Sequence, residues 1–230
     1  QGWLLRLATS AGHCGWGEVS PINPKELVTC KRLLTNLSPT PSRQELEDGT
    51  FTWPASLAFG IGAALAELDH LVGYEGEAEW LQAPESAFLL PTNHSLWEVV
   101  NNLITRHHEQ KQLLTLKLKV ASQPKDKEIS RVHKLLETLP ATCRVRLDAN
   151  AGWDRIEAKE WAAEFSQDPR IEWLEQPLAA NDMQGLTELS QQIAIALDES
   201  LSFNPSLRKS WHSWQIRRPL LEGDPRPLLK

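Results

Sequence analysis

Charged side chains stand in or directly after four short apolar stretches of this chain. The first stretch carries two cations, Lys117 and Lys119, and the next three carry one carboxylate each, Asp148, Glu175 and Asp198. Strands that are buried on both faces are apolar, and charge is expected only where their carboxyl ends open onto a site. Two lysines followed by three acids on successive strands therefore predict one active centre of a metal-assisted barrel enzyme.

Lys117 and Lys119 are two positions apart, so on a strand they share one face. Two ammonium groups in a pocket of low polarity disfavour each other's charge. This lowers the pKa of at least one lysine, which allows that lysine to act as a general base. The competing interpretation, which these residues alone favour, is a solvated edge strand with two surface lysines.

Asp148, Glu175 and Asp198 supply only hard oxygen ligands, which suit Mg²⁺, and without a metal three converging carboxylates would repel one another. Each acid alone could be an exposed loop residue or a helix N-cap, and Asp198 in particular has the form of a cap. Asn150 lies on the face of Asp148 and could hold a water molecule or the substrate carboxylate. Glu199 could hydrogen-bond a catalytic lysine.

The elements that must position these residues alternate between strand and helix patterns at intervals of about 20 to 30 residues. They predict a partial (β/α) barrel over residues 87–230, with six strand units where a closed barrel has eight. Residues 1–86 begin with an alternating, glycine-rich pattern and continue with helical spacing, which predicts an α+β domain. The best linker is residues 73–85. Predicted strands of the barrel are 87–91, 113–120, 143–148, 171–175, 193–198 and 214–219, and predicted helices of the chain include 24–37, 55–72, 126–139 and 155–166.

Composition and charge exclude several classes of protein. A formal net charge of −6 without a basic block gives no electrostatic surface for nucleic acid or an anionic membrane, so small-molecule partners are expected. Neither an apolar run of about 18 residues nor a signal peptide is present in the sequence, so we expect a cytoplasmic protein. Its three cysteines lack a metal-ligand spacing and fit a reducing compartment. Because the chain begins with Gln1, we also expect a fragment of a longer protein.

Four motifs in this order resemble the muconate-lactonising branch of the enolase superfamily. They are Lys-Leu-Lys, Leu-Asp-Ala-Asn, Trp-Leu-Glu-Gln-Pro and Ala-Leu-Asp-Glu-Ser, and the segment at 15–21 is similar to the N-terminal capping domain of that branch. Within the branch the similarity is to o-succinylbenzoate synthases of the cyanobacterial type. The resemblance implies an α/β fold, an enolase-superfamily barrel incomplete at the C-terminus that follows a partial α+β capping domain.

The resemblance also implies a reaction, a pathway and a cofactor. The reaction is the Mg²⁺-dependent dehydration of 2-succinyl-6-hydroxy-2,4-cyclohexadiene-1-carboxylate to o-succinylbenzoate, a step of menaquinone or phylloquinone biosynthesis. Lys119 would remove the proton α to the carboxylate and then help the hydroxyl group to leave. Lys117 would tune that base and contact the substrate carboxylate. The metal ligands would be Asp148, Glu175 and Asp198.

Arg218 departs from the family pattern, which has a lysine before the proline of strand six. An arginine stays protonated and cannot accept a proton from carbon. Racemases of the superfamily need a base on each face of the substrate, whereas a dehydration works with one. Arg218 would then stabilise the intermediate by charge or by stacking. The competing interpretation is a register shifted by one residue, which turns Arg218 towards the helices.

The sequence leaves two alternatives to the dehydratase. One is an N-acylamino acid racemase or a muconate-type cycloisomerase on the same scaffold, and Arg218 argues against the racemase. The other is a non-catalytic truncated remnant, because a six-stranded open barrel would expose edge strands. The oligomeric state is left open.

Overall fold

A computed structural model describes residues 1–72, 86–110 and 113–229 of the chain. The chain divides into two compact units, one formed by Gln1–Trp80 with Arg218–Lys230 and the other by Leu81–Arg217. The predicted linker at 73–85 lies outside the described residues. The sequence-based division assigned residues 218–230 to the barrel, whereas the structure groups them with the first unit.

The first unit consists of an antiparallel hairpin and helices. Buried residues alternate along the second strand, and a Cβ atom added to Gly17 would lie 1.8 Å from the carbonyl oxygen of Gly60. The strand and the helix therefore approach each other at glycine. The elements are β1 (Trp3–Ala8), β2 (Cys14–Val19), α1 (Pro24–Asn36), α2 (Arg43–Thr52) and α3 (Ala55–Leu68). The core of this unit is formed by Val19, Cys30, Leu46, Leu57, Ile61 and Leu65.

The last described residues of the chain pack against α3 in two 3₁₀ turns, Pro219–Leu221 and Arg226–Leu228. The Arg226 guanidinium donates to the carboxylates of Asp224, at 2.7 Å, and Glu47, at 3.1 Å. The sequence pattern here predicted the beginning of a helix that continues the barrel. The ion pair with Glu47 of α2 attaches this segment to the first unit.

The second unit is an α/β structure built on one six-stranded parallel sheet, whose strands follow one another in chain order. This arrangement confirms the predicted incomplete barrel. The strands are β3 (Phe88–Leu89), β4 (Thr115–Lys119), β5 (Arg144–Asp148), β6 (Ile171–Glu175), β7 (Ile195–Leu197) and β8 (Trp214–Gln215). The helices are α4 (Leu96–Gln110), α5 (Lys125–Thr138), α6 (Arg155–Phe165), α7 (Met183–Leu189), α8 (Glu199–Phe203) and α9 (Leu207–Ser210).

The core of the second unit lies between the sheet and its helices. Leu116 and Leu118 of β4 and Leu147 of β5 are fully buried, as are Trp161 and Phe165 of α6. On β4, Lys117 lies between Leu116 and Leu118 and points to the opposite face of the sheet, because side chains alternate along a strand. Within the described residues, none of the helices combines the length and the apolar character needed to cross a membrane.

Candidate active site

The strand register places one lysine and two acids side by side. Lys119 pairs with Asp148 across β4 and β5, and Asp148 pairs with Glu175 across β5 and β6. Asp198 directly follows β7, which is the next strand of the sheet. Parallel strands end at the same edge of a sheet, so these four residues line that edge.

The two lysines have different surroundings. Lys117 Nζ lies 2.7 Å from Glu175 Oε1 and 2.9 Å from Asp148 Oδ2. Lys119 Nζ donates to Asn150 Oδ1 at 2.7 Å and lies 4.0 Å from Asp148 Oδ2. Strand β4 is flanked by β3 and β5, so it is not an edge strand, although the Lys119 side chain is exposed.

The pKa of Lys117 is set mainly by its surroundings in the sheet and not by the second lysine. Burial opposes its positive charge, but the hydrogen bonds and charges of Glu175 and Asp148 outweigh burial and raise the pKa above the ordinary lysine value. Lysine repulsion was expected to lower a pKa in this pair. For Lys117 the carboxylates have the larger effect, so this side chain stays a cation.

The three predicted metal ligands are buried acids, with exposed fractions of 2% for Asp148, 1% for Glu175 and 3% for Asp198. Burial raises the pKa of Glu175, the negative charges of Asp148 and Asp198 add to that rise, and Lys117 opposes it. The Asp198 side chain makes no capping hydrogen bond to α8. Asp198 therefore occupies the N-cap position of α8, as the sequence allowed, but its carboxylate does not serve as the cap.

The donor chemistry of this edge fits Mg²⁺. Three buried carboxylates at the ends of neighbouring strands offer only hard oxygen atoms, and burial together with the charges of Asp148 and Asp198 raises the pKa of Glu175. In the part of the chain that the structure describes, no group of three or more His, Cys, Asp or Glu is arranged to hold a metal ion. The Lys117 ammonium instead contacts two of the three acids.

Asn150 links the lysine to a further acid. Its backbone N–H donates to Asp148 Oδ1 at 3.1 Å, and its left-handed φ of 44° turns the chain directly after β5. The side-chain Oδ1 accepts from Lys119, and Nδ2 donates to Glu199 Oε1 at 3.3 Å. The other carboxylate oxygen of Glu199 is buried and has no hydrogen-bond partner in the described structure. Glu199 thus reaches Lys119 through the Asn150 amide.

Arg218 lies in the first unit, apart in the chain from the other predicted site residues, all of which belong to the second unit. It follows β8 by three residues and is exposed, and its backbone N–H donates to Glu222 Oε1 at 2.8 Å. Strand β8 is shorter than predicted and ends at Gln215, before the turn that begins at Pro219. The role of Arg218 stays a prediction.

Glu128, which the sequence analysis did not select, holds the loop after β4. Its buried carboxylate accepts hydrogen bonds from the backbone N–H groups of Ala121, Ser122 and Gln123 at 2.8, 3.1 and 3.0 Å. Ala121 has a left-handed φ of 62°, so the loop turns sharply one residue after Val120. The sequence signal for this role was an acid in the first turn of a helix. The N–H groups that Glu128 binds, however, lie in the loop before that helix.

We expect Glu128→Gln to lower the free energy of unfolding by about 2 to 4 kcal/mol, because a neutral amide cannot accept from all three N–H groups and would present its own donors to them. Urea denaturation measures this loss. Asp126→Asn is the matched control, since Asp126 is an exposed acid of the same helical turn. Equal destabilisation by the two substitutions would contradict the role of Glu128.

Similar proteins share both the sequence pattern and the fold. Residues 100–209 match the family described as Enolase C-terminal domain-like. The o-succinylbenzoate synthase of Thermosynechococcus vestitus is 26% identical over 97% of this chain and 69% of its own length. The Salmonella arizonae o-succinylbenzoate synthase is 30% identical over 81% of this chain, which spans only 55% of that protein.

A solved structure extends this similarity to three dimensions. The crystal structure of o-succinylbenzoate synthase from Thermosynechococcus elongatus BP-1, complexed with Mg in the active site, matches with a TM-score of 0.78 and 27% identity. The match covers 99% of this chain and 71% of that chain. The chain therefore has the enolase-superfamily fold, and its predicted similarity to o-succinylbenzoate synthases of the cyanobacterial type is confirmed.

Proposed function

We propose that the protein is a hydro-lyase that uses Mg²⁺ to dehydrate 2-succinyl-6-hydroxy-2,4-cyclohexadiene-1-carboxylate to o-succinylbenzoate. One observation carries the proposal: Lys119, Asp148 and Glu175 stand at one level of three adjacent parallel strands, and Lys117 contacts both acids. A base beside a cluster of buried carboxylates suits removal of a proton α to a metal-held carboxylate group. The names of the similar proteins support this choice of reaction.

In this proposal Asp148, Glu175 and Asp198 would hold the metal ion. When bound, Mg²⁺ would supply the positive charge that stabilises a substrate carboxylate as it becomes more negative. Lys117 stays protonated because both neighbouring acids raise its pKa, so its part is that of a cation that contacts the substrate carboxylate. Lys117 would then tune Lys119 through its positive charge.

Lys119 is the group suited to move the proton. Its side chain is half exposed, at 49%, so its ammonium or amine can reach a bound small molecule. As a neutral amine, Nζ takes the proton from the carbon α to the carboxylate, and the electron pair moves into the carboxylate. The same Nζ then returns the proton to the hydroxyl group. The electron pair comes back from the carboxylate to form the new ring double bond as the C–O bond breaks, water leaves, and the ring becomes aromatic. One base serves both proton transfers.

Asn150 and Glu199 orient this base in the proposal. The Asn150 amide oxygen holds the Lys119 ammonium at 2.7 Å, and Glu199 fixes the other end of the amide. A lysine side chain has several rotatable bonds, so such a contact restricts where its nitrogen can lie. Holding the nitrogen at one place is a precondition for efficient proton transfer.

With this substrate the protein would act in menaquinone or phylloquinone biosynthesis, and its cytoplasmic location stays a prediction. A small-molecule carboxylate is the proposed partner. A protein with a net charge of −6 repels an anionic substrate unless cations lie in its site. Lys117 and Lys119 provide these cations.

Arg218 variants test this reaction against racemisation. From its position in the sequence before Pro219, we expect Arg218→Met to slow dehydration by about 10²- to 10³-fold, the scale of losing one preorganised electrostatic contact. Arg218→Lys keeps the positive charge and should preserve dehydration. Steady-state kinetics of o-succinylbenzoate formation measure both.

The unmodified protein should also fail to exchange the α-proton of an N-acylamino acid with solvent deuterium from both faces, because arginine cannot serve as the second base. Proton NMR in deuterium oxide follows this exchange. Racemisation by the unmodified protein would favour the racemase alternative, and indifference of dehydration to Arg218→Met would remove Arg218 from the proposal.

A further inference from the structure

The side chain of Gln176 is fully buried, directly after Glu175 at the end of β6. Its amide uses all four of its hydrogen-bonding positions. Nε2 donates to the carbonyl oxygen of Leu178 at 2.9 Å and to Ser200 Oγ at 2.7 Å. Oε1 accepts from the backbone N–H groups of Asp198 at 3.0 Å and Ser200 at 3.1 Å. The amide therefore joins the end of β6 to the turn after β7.

Ser200 completes this connection. Its side chain is also fully buried, and its hydroxyl group donates to the carbonyl oxygen of Ala180 at 3.1 Å. Two polar side chains, Gln176 after β6 and Ser200 in the first turn of α8, thus bridge the loop that follows Glu175 and the turn that begins at Asp198. A buried donor or acceptor left unpaired is costly, so the two loops are held in one relative position.

The backbone at both positions departs from strand geometry. Gln176 has a left-handed φ of 37°, which is unfavourable for a residue with a side chain and persists where surrounding contacts hold it. Asp198 has φ −123° and ψ −83°, and its side chain does not cap α8. The Asp198 carboxylate is thus not held by a capping hydrogen bond to α8, whereas the Gln176 amide accepts from the Asp198 backbone N–H.

We propose that Gln176 is a positioning residue, which fixes the turn at 198–200 and through it the Asp198 carboxylate that ligates Mg²⁺. The inference rests on the proposed function, because Asp198 is a metal ligand only in that proposal. Protein groups take all four hydrogen-bonding positions of the Gln176 amide, so its effect on substrate and metal would be indirect. Loss of such an outer partner of a metal ligand typically weakens metal affinity by about 10- to 100-fold.

The test uses Gln176→Leu, which keeps the approximate side-chain size and removes the amide. Isothermal titration with MgCl₂ should show the Kd for Mg²⁺ rising about 10- to 100-fold. Amide hydrogen exchange at 198–200, measured without metal, should become faster. Ser200→Ala should change both quantities in the same direction, and Ser200→Thr, which keeps the hydroxyl group, should restore them.

Leu135→Ala is the control, because Leu135 is a fully buried core residue of α5 with no polar side-chain atom. It should destabilise the protein yet leave both the Mg²⁺ affinity and the exchange at 198–200 unchanged. Unchanged affinity and exchange in Gln176→Leu would overturn the inference, as would equal changes in Leu135→Ala. If Gln176→Leu does not fold, the two Ser200 variants give the result by the same readouts.

The two proposals fail in different ways. An unmodified protein that binds no Mg²⁺ would contradict the proposed function and the metal part of this inference. Faster exchange at 198–200 in Gln176→Leu would then still support the role of Gln176 in fixing the turn. If the unmodified protein and Gln176→Leu bind Mg²⁺ equally well, the inference about Gln176 is overturned while the proposed function stands.

Discussion

Replacing Lys119 by alanine is expected to slow the dehydration by at least about 10²- to 10⁴-fold, the usual contribution of a general base. The effect should lie at the upper end of that range, because Lys119 serves both proton transfers in the proposal. Mg²⁺ affinity should be retained, since Lys119 Nζ lies 4.0 Å from Asp148 and its hydrogen bond is to Asn150. Single-turnover kinetics and calorimetric Mg²⁺ titration separate these two effects.

Lys159→Ala is the control for that experiment. Lys159 lies on α6 with an exposed side chain, and its contact with Glu188 is a surface ion pair at 3.8 Å. Such pairs contribute about 0 to 1 kcal/mol, so neither turnover nor stability should change much. A rate constant for Lys119→Ala near that of the unmodified protein would remove this lysine from the mechanism.

Loss of a metal ligand is expected to have the second large effect. Glu175→Gln preserves the shape of the side chain and removes one negative charge and one strong oxygen ligand. Because outer partners of metal ligands already contribute about 10- to 100-fold to affinity, removal of the ligand should weaken Mg²⁺ binding by more than about 100-fold. Calorimetric titration measures the affinity, and dehydration should be lost in parallel.

Glu172→Gln is the matched control on the same strand. Glu172 pairs with Arg146 of the neighbouring strand instead of Lys117, so Mg²⁺ affinity should be unchanged in this variant. Unaltered Mg²⁺ affinity in Glu175→Gln would show that the metal site has been assigned to the wrong residues.

The regular part of the barrel could be predicted because local signals agreed there. The helices predicted at 126–139 and 155–166 are α5 (Lys125–Thr138) and α6 (Arg155–Phe165). The second begins where the Asp154 side chain caps it by accepting from two backbone N–H groups. Charge at the carboxyl ends of buried strands predicted which residues share one edge of the sheet.

Helices α2, α8 and α9, which were not predicted, lack such signals. Helix α2 buries only Leu46, Gly49 and Thr50, so it presents no apolar stripe of helical period. Helices α8 and α9 have five and four residues, which is too short for a periodic pattern. Their formation depends on neighbouring elements.

Long-range contacts account for what the sequence could not predict in the site. The pKa direction of Lys117 depends on Glu175, a residue 58 positions away along the chain. Gln176 is joined to Ser200 across 24 positions, and nothing in the Trp-Leu-Glu-Gln-Pro motif indicates that its amide is fully buried and bonded. The grouping of residues 218–230 with the first unit depends on contacts such as Arg226 with Glu47, 179 positions apart.

The most direct test is turnover of 2-succinyl-6-hydroxy-2,4-cyclohexadiene-1-carboxylate by the purified protein, with and without Mg²⁺. The proposal predicts that o-succinylbenzoate forms in the presence of Mg²⁺, that a chelator stops its formation and that added Mg²⁺ restores it. The product can be followed by the change in ultraviolet absorbance as the ring becomes aromatic. Absence of product with Mg²⁺ present, or product formation that a chelator does not affect, would contradict the proposed function.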